Sequence, residues 1–342
     1  MFVVRPVAMS DIPALVTLAK SATRGVHALP KTRQAIEQAV ERSIASFASP
    51  VGAPGDEAYL FVLEPADGNA IAGTATISAH AGASDTFFAF RNDVIQQVSR
   101  DLDISHSVHA LTLCSYLTGH SRLSGFFMRD WRRAGAEAAL LSRARLLFAA
   151  IAPHRFGERF FASLAGIIDG NGCSPFWEAL GRKFFQMDFL EAERLIEGAR
   201  NRTLIVELMP HYPVYVPLLP AVARVVLGRA HEEAELPFRI LSGDGFEPDD
   251  FIDIFDGGPI LHAHKHALRS FSGSVRRQVA EWTAMDGAPA ATYLVSSTKQ
   301  ENFRALIATC ARIELSDRIM LSPSAMRGLE VVPGDSVLCA SM

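Results

Sequence analysis

The sequence predicts an α+β fold, a mixed and largely antiparallel sheet covered by helices, with a small β-rich C-terminal unit. Three observations point there. Strand-like runs at 59–64, 71–78, 110–117 and 123–128 follow one another with turn residues between them, the pattern of an antiparallel meander. Segments with apolar residues at three- and four-residue steps flank that meander. From Thr292 on, short β-rich runs alternate with turns.

The elements follow in order. Residues 2–5 read as a strand. Ser10 is placed to cap a helix that carries Pro13 in its first turn and Leu15, Leu18 and Ala19 on one face. A second helix is predicted over 31–47, where Ile36, Val40, Ile44 and Phe47 share a face. A Gly/Pro loop covers 51–55. Asp67-Gly68-Asn69 and Thr118-Gly119 supply turns within the meander. A third helix spans about 134–152, with Leu140, Leu141, Ala144, Leu147, Phe148 and Ile151 as its stripe and Arg143 and Arg145 standing off it.

Residues 160–168 read as a strand, 169–172 as a loop, and Ser174-Pro175 opens a short helix through 180. A strand at 203–209 and helices at 217–227 and 235–241 follow, the last one ended by Gly243 and Gly245. Residues 251–255 form a strand closed by Asp256-Gly257-Gly258-Pro259. The C-terminal runs are 293–296 and 305–313, with a turn into a last strand at 334–337. This divides the chain into a body over 1–200, a second αβ portion over 201–275 that completes the site, and a β-rich unit over 276–342.

Composition narrows the class of function. Among 342 residues, 49% are apolar and 20% charged, which excludes a largely disordered chain. A net charge of −4 is the wrong sign for a protein that tracks nucleic-acid phosphates. Cys114, Cys173, Cys310 and Cys339 are far apart and form no C-x-x-C pair, so they read as free thiols. The N-terminus lacks the pattern of a signal peptide. The nearest approach to a membrane span, 204–227, is broken by Glu207, His211, Arg224 and four prolines. The expectation is a soluble cytoplasmic protein with no membrane or nucleic-acid partner.

A strand that ends near Met128 and is followed closely by a helix start makes an anion cradle, because the first turn of a helix offers free N–H groups and a positive dipole end. His262, His264 and His266 have metal-like spacing in a strand. No carboxylate or thiolate accompanies them in that stretch, so a solvated or interfacial face is the reading and no metal is expected.

Several segments resemble a known family. Arg5-Pro6 followed by Ser10-Asp11 and a helix is similar to the opening of GNAT-type acyl-CoA N-acyltransferases, as is the strand-to-helix passage at 123–152. More specifically, the chain resembles the arginine N-succinyltransferase family, in its alpha-type form. The segments that carry this are Phe90-Arg91-Asn92, Ser174-Pro175-Phe176-Trp177, Glu207-Leu208-Met209-Pro210-His211-Tyr212-Pro213-Val214-Tyr215 and Phe251-Ile252-Asp253-Ile254-Phe255-Asp256-Gly257-Gly258-Pro259.

The resemblance implies a GNAT-like fold and transfer of a succinyl group from succinyl-CoA to the α-amine of L-arginine, or of ornithine. Succinyl-CoA is then a co-substrate and no cofactor is tightly bound. It implies a beta-type partner chain, a homo-oligomer, or both. It singles out His231, within Gly228-Arg229-Ala230-His231, as proton donor. It places the succinyl-CoA contact at Phe126, and the strand-to-helix passage adds Met128, Arg133, Ala136 and Ala138. Glu207, Asp253 and Asp256, acids at strand ends, are candidates for holding a guanidinium. For Asp256, a turn hydrogen bond is the competing reading.

The sequence departs from the family pattern in two places. Where GNAT-type enzymes carry R/Q-x-x-G-x-G/A, this chain reads Arg133-Ala134-Gly135-Ala136-Glu137-Ala138, and where this family carries a Glu and an Arg before a Gly it reads Ser163-Leu164-Ala165-Gly166. Two other readings follow from these departures: a catalytically silent subunit, and a related acyltransferase for another amine.

Overall fold

The structure is a computed structural model that describes residues 1–21, 30, 32–66, 68, 70–82, 86–192, 207–281 and 290–342. Its strands are β1 (Phe2–Pro6), β2 (Ala58–Pro65), β3 (Gly73–Ser78), β4 (Ala89–Ser99), β5 (Ile104–Cys114), β6 (Ser121–Met128), β7 (Arg159–Ser163) and β8 (Val214–Tyr215). They continue with β9 (Glu247–Ile252), β10 (Pro259–His264), β11 (Val275–Ala280), β12 (Ala290–Ser297), β13 (Ala305–Ala311), β14 (Arg318–Met320) and β15 (Ser336–Ser341). Among the described residues all fifteen join one sheet, in the order β14-β11-β15-β12-β13-β1-β2-β3-β6-β7-β10-β9-β4-β5-β8. The pairings are antiparallel except β6 with β7 and β11 with β14. The expected α+β architecture with a mixed, largely antiparallel sheet is present.

Helices cover both faces. On one lies α3 (Ala136–Ile151), whose Leu140, Leu141, Leu147 and Phe148 bury against Phe61, Ile77 and Leu261. Phe148 meets Phe47, Tyr59, Phe61 and Phe303 at ring separations of 4.9 to 5.5 Å. Truncating a ring at such a position costs about 3–5 kcal/mol. On the other face α1 (Ile12–Lys20) and α2 (Arg33–Ala48) pack Leu15, Leu18, Ile36 and Val40 against Leu60, Val62 and Ile71. Thr32 caps α2 by accepting the Ala35 amide at 3.2 Å.

Several expectations change. Ser10 does not cap α1. Asp11 stands at the cap position, and its carboxylate instead accepts the Ala8 amide and both guanidinium arms of Arg5, at 2.8 and 3.0 Å. Residues 92–109, read as no element, form most of the β4–β5 hairpin. They lack an alternating apolar pattern because the outer part of this ribbon packs on nothing else in the sheet. The run at 110–117 stops at Cys114 and passes into a 3-10 turn. Asp67 and Asn69 of the predicted turn and residues 203–206 of the predicted strand at 203–209 lie outside the described residues, and Glu207 and Leu208 are helical.

The short helices α4 (Pro175–Ala179) and α5 (Gly181–Phe185) are followed by α6 (Ala221–Val226), α7 (Glu235–Asp244), α8 (Arg269–Ser272) and α9 (Pro323–Leu329). Ser174 Oγ caps α4 through the Trp177 amide at 3.2 Å. The C-terminal unit contains α9 as well as strands, and β13 pairs with β1 through Val3 and Leu306, so its strands continue the main sheet.

Arg145 does not stand off the core. It is 1% exposed, and it donates to the carbonyls of Ser142, Thr76 and Ser124 at 3.0, 3.2 and 3.3 Å and to Ser142 Oγ at 2.9 Å. Its long stem lies in the apolar layer while its fork reaches carbonyls at the irregularity where β3 and β6 lose register. Desolvation lowers its pKa to about 9. Arg143 is half off the stripe. It reaches Ser270 Oγ at 2.7 Å, the Ser341 carbonyl at 2.7 Å and Asp244 at 3.2 Å, which ties α3 to α7, α8 and β15.

Candidate active site

The site arises where two parallel strands part. β6 and β7 pair only from Ser121 with Phe160 to Leu123 with Ala162. Beyond that β6 bulges at Gly125, whose φ is +59°, and stays with β3 through Phe127 and Met128. A residue other than glycine would be strained there. Thr74 Oγ1 donates to the Gly125 carbonyl at 3.1 Å and Arg145 takes the neighbouring Ser124 carbonyl, so the bulge is braced from both sides. The continuation of β7 turns the other way, with the Leu164 amide on the Pro259 carbonyl at 3.0 Å and Gly166 bridged to Ala230.

The parting leaves a cavity of about 700 Å³. One side is Ser21, Phe127, Arg129, Trp131 and Arg132, from the ends of α1 and β6 and the turn after it. A second is 167–170 with Gly172. The third is His231, Glu232 and Glu233. Arg132 stacks on Trp131 at 4.7 Å and pairs with Glu232 at 3.3 Å, so cations and carboxylates face the same space. Asp169 turns its carboxylate to the amides of Asn171 and Cys173, at 2.9 and 2.8 Å, and shapes the loop.

His231 is held by its backbone. Its amide donates to the Ala165 carbonyl at 2.8 Å, and Nδ1 accepts the Glu233 amide at 3.3 Å. A capped Nδ1 places the proton of the neutral ring on Nε2.

Of the residues singled out in the sequence, His231 alone lines this cavity. Phe126 is half-buried and packs against the core under Arg145, its ring centre 5.9 Å from the guanidinium carbon. Met128 and Ala138 are buried in the same core. Arg133 is exposed in the turn 131–133, and Ala136 is exposed at the first turn of α3. In that turn Glu137 folds back to accept the Gly135 amide at 3.0 Å. Glu207 is exposed, away from the cavity lining.

Asp253 and Asp256 are 8% and 1% exposed. Asp253 accepts Ser163 Oγ and the Phe255 amide, each at 2.9 Å, and Asp256 accepts the amides of Gly166 and Gly258 at 2.7 and 2.8 Å. Burial, followed by the charge of Asp253, pushes the Asp256 carboxyl up to about 7. The turn hydrogen bonds anticipated for Asp256 are thus observed.

His262 and His264 share a face of β10, with His262 Nδ1 3.5 Å from Asp249, while His266 lies past the strand end. No group of three His, Cys, Asp or Glu among the described residues is arranged to hold a metal ion. None of the described helices is long and apolar enough to cross a membrane.

Sequence reasoning passed over Arg129, Trp131, Arg132, Glu232 and Glu233. Their signal was present as a dense run, Arg129-Asp130-Trp131-Arg132-Arg133, directly after a strand, and as two acids beside a singled-out histidine.

Comparison with known proteins supplies the family. A profile described as the arginine N-succinyltransferase beta subunit matches residues 2–270, and one described as the C-terminal domain of that subunit matches 275–341. The chain is 41% identical over 309 residues to the arginine N-succinyltransferase subunit alpha of Pseudomonas aeruginosa, covering 90% of each chain. It is 36% identical over 335 residues to subunit beta of the same organism, covering 98% of this chain and 96% of that one. An Escherichia coli arginine N-succinyltransferase is 32% identical over 345 residues, with 99% and 98% covered. The solved structure of arginine/ornithine succinyltransferase subunit AI from Pseudomonas aeruginosa superposes with a TM-score of 0.88 at 36% identity, covering 100% of this chain and 98% of that one. The chain belongs to the arginine N-succinyltransferase family, a family of acyltransferases.

Proposed function

We propose that this chain, as a member of that family, transfers the succinyl group of succinyl-CoA to the α-amine of L-arginine, with ornithine as a second acceptor. It acts in the cytoplasm as an alpha-type subunit beside a beta-type chain, or in a homo-oligomer. The alpha assignment follows the higher identity, 41% against 36%. Succinyl-CoA is a co-substrate, and no tightly bound cofactor is invoked.

One observation carries this reading. His231 faces a cavity of about 700 Å³ between the parted strands, with Arg129 and Arg132 on one side and Glu232 and Glu233 beside it. Cations suit the carboxylate and phosphates of succinyl-CoA. Carboxylates suit the guanidinium of arginine.

The chemistry is direct transfer. The neutral amine attacks the thioester carbonyl carbon, an N–C bond forms and the C–S bond breaks. One proton leaves the amine and one ends on the CoA sulfur. His231 is the group through which this proton passes. Since Nδ1 is engaged by the Glu233 amide, Nε2 is the ring atom turned to the substrates, and the proton lost by the amine as the N–C bond forms is the one delivered to sulfur as the C–S bond breaks. The backbone at the β6 bulge, near Phe126, lies along the acyl arm, with Met128, Arg133, Ala136 and Ala138 belonging to the strand, turn and helix that frame it. In this reading Asp253 and Asp256 shape the acceptor side and do not grip the guanidinium, and Glu207 is left for the entrance.

A second reading, a catalytically silent subunit, is favoured by Glu137, whose carboxylate at the start of α3 would repel a phosphate there. Thiol release from succinyl-CoA, measured with arginine, ornithine and a panel of other amines, with and without a beta-type chain, tests the proposal. Activity of this chain with arginine supports it. Calorimetry of the lone chain with succinyl-CoA separates the second reading, since micromolar binding removes it.

A further inference from the structure

Three backbone segments meet beneath His231, two of them at distances that only glycine permits. The first is the turn 253–258, closed by the Asp253 amide on the Gly258 carbonyl at 2.9 Å. The second is the β7 continuation, 164–166. The third is 228–231, which carries the histidine. A Cβ on Gly166 would lie 2.5 Å from the Asp256 carbonyl oxygen, and one on Gly258 would lie 2.2 Å from the Leu164 carbonyl oxygen. The Gly228 amide reaches the Gly257 carbonyl at 2.9 Å, Gly166 bridges Ala230, and the His231 amide donates to Ala165. Asp256 is the side chain at this junction: one oxygen takes the Gly258 amide within the turn, and the other takes the Gly166 amide across it.

We propose that Asp256 is a positioning residue for His231. By joining the turn to Gly166 it fixes the strand on which the His231 backbone hangs, and so fixes where Nε2 stands in the cavity. The proposal rests on the reading of His231 as proton donor. Asp256 touches no substrate, and acts through Gly166, Ala165 and the bridge to Ala230. A displacement of about 1 Å at a reacting group is enough to cost about a hundredfold in rate.

The test compares wild type, Asp256→Asn, Asp256→Ala, His231→Ala and the double variant His231→Ala/Asp256→Asn in the assembled enzyme, assayed as thiol release, with circular dichroism and succinyl-CoA calorimetry to establish folding and binding. The expected result is a kcat reduced about tenfold in Asp256→Asn, which keeps one acceptor, and about a hundredfold in Asp256→Ala. KM for both substrates should stay within about threefold, and the double variant should be no slower than His231→Ala. Where Asp256→Ala fails to fold, Asp256→Asn decides. An Asp256→Asn enzyme with wild-type kcat, beside an inactive His231→Ala enzyme, overturns the proposal. So does a loss confined to folding or to KM. A His231→Ala enzyme with wild-type kcat removes the proton-donor reading itself, and this inference with it.

Discussion

Asp256 accepts the amide hydrogen of Gly166 at 2.7 Å, in a setting that leaves the aspartate 1% exposed. Burial and then Asp253 push this carboxyl up to about 7, against about 4 in an unfolded chain. A raised carboxyl pKa means that folding takes up a proton. The stability associated with the neutral group is complete below about pH 4 and is lost as pH rises through about 7. Urea midpoints of wild type and Asp256→Asn at pH 5 and pH 8 read this directly. Wild type should lose ground relative to the variant between the two. A difference independent of pH contradicts the shift.

The glycines at that junction and in the cavity wall differ sharply in clearance. Gly166→Ala and Gly258→Ala bring Cβ within 2.5 and 2.2 Å of backbone oxygens, whereas Gly170, in the cavity wall and outside that junction, has nothing within 4 Å. Gly166→Ala and Gly258→Ala should each cost at least about 2 kcal/mol, with activity lost, while Gly170→Ala stays within about 0.5 kcal/mol of wild type. Thermal melts and activity on the three variants check this.

Arg145 braces the β6 bulge through carbonyls of Thr76 and Ser124 while fully buried. Truncation to alanine leaves a cavity and two carbonyls without their donor. Together these outweigh the relief of desolvating a cation, and a loss of about 3–5 kcal/mol is expected in denaturant titration. Arg145→Lys should not restore it, because one ammonium cannot reproduce the planar fork.

Under the proposed function, the two charge signs in the cavity should act on different substrates. Alanine at Arg129 and Arg132 together should raise KM for succinyl-CoA about tenfold and leave KM for arginine nearly unchanged. Glutamine at Glu232 and Glu233 should do the reverse. Steady-state kinetics with each substrate varied at saturating concentration of the other distinguishes the patterns.

Much of the scaffold was readable because it is periodic. The meander, α2 and α3 carry apolar residues at strand or helix spacing, and Ser174 announces its own cap. Non-local pairing was not readable. Arg145 looks like a surface residue until the β3–β6 irregularity supplies its acceptors, and Ser10 looks like a cap until Arg5 draws in Asp11. The outer β4–β5 ribbon has no buried face to impose alternation. At the site, the sequence pointed to His231 through resemblance and to the strand–helix passage through helix-end physics. The cavity instead lies on the other side of β6, where Phe127, and not Phe126, faces it. A one-residue bulge at Gly125 sets that side, and no periodicity announces a bulge.

On the proposed function His231 carries the reaction's proton. Steady-state turnover of His231→Ala, in the assembled enzyme with succinyl-CoA and arginine, decides this. The variant should fold and bind succinyl-CoA as wild type does while kcat falls by about 100- to 10,000-fold. A folded His231→Ala enzyme that keeps wild-type kcat contradicts it.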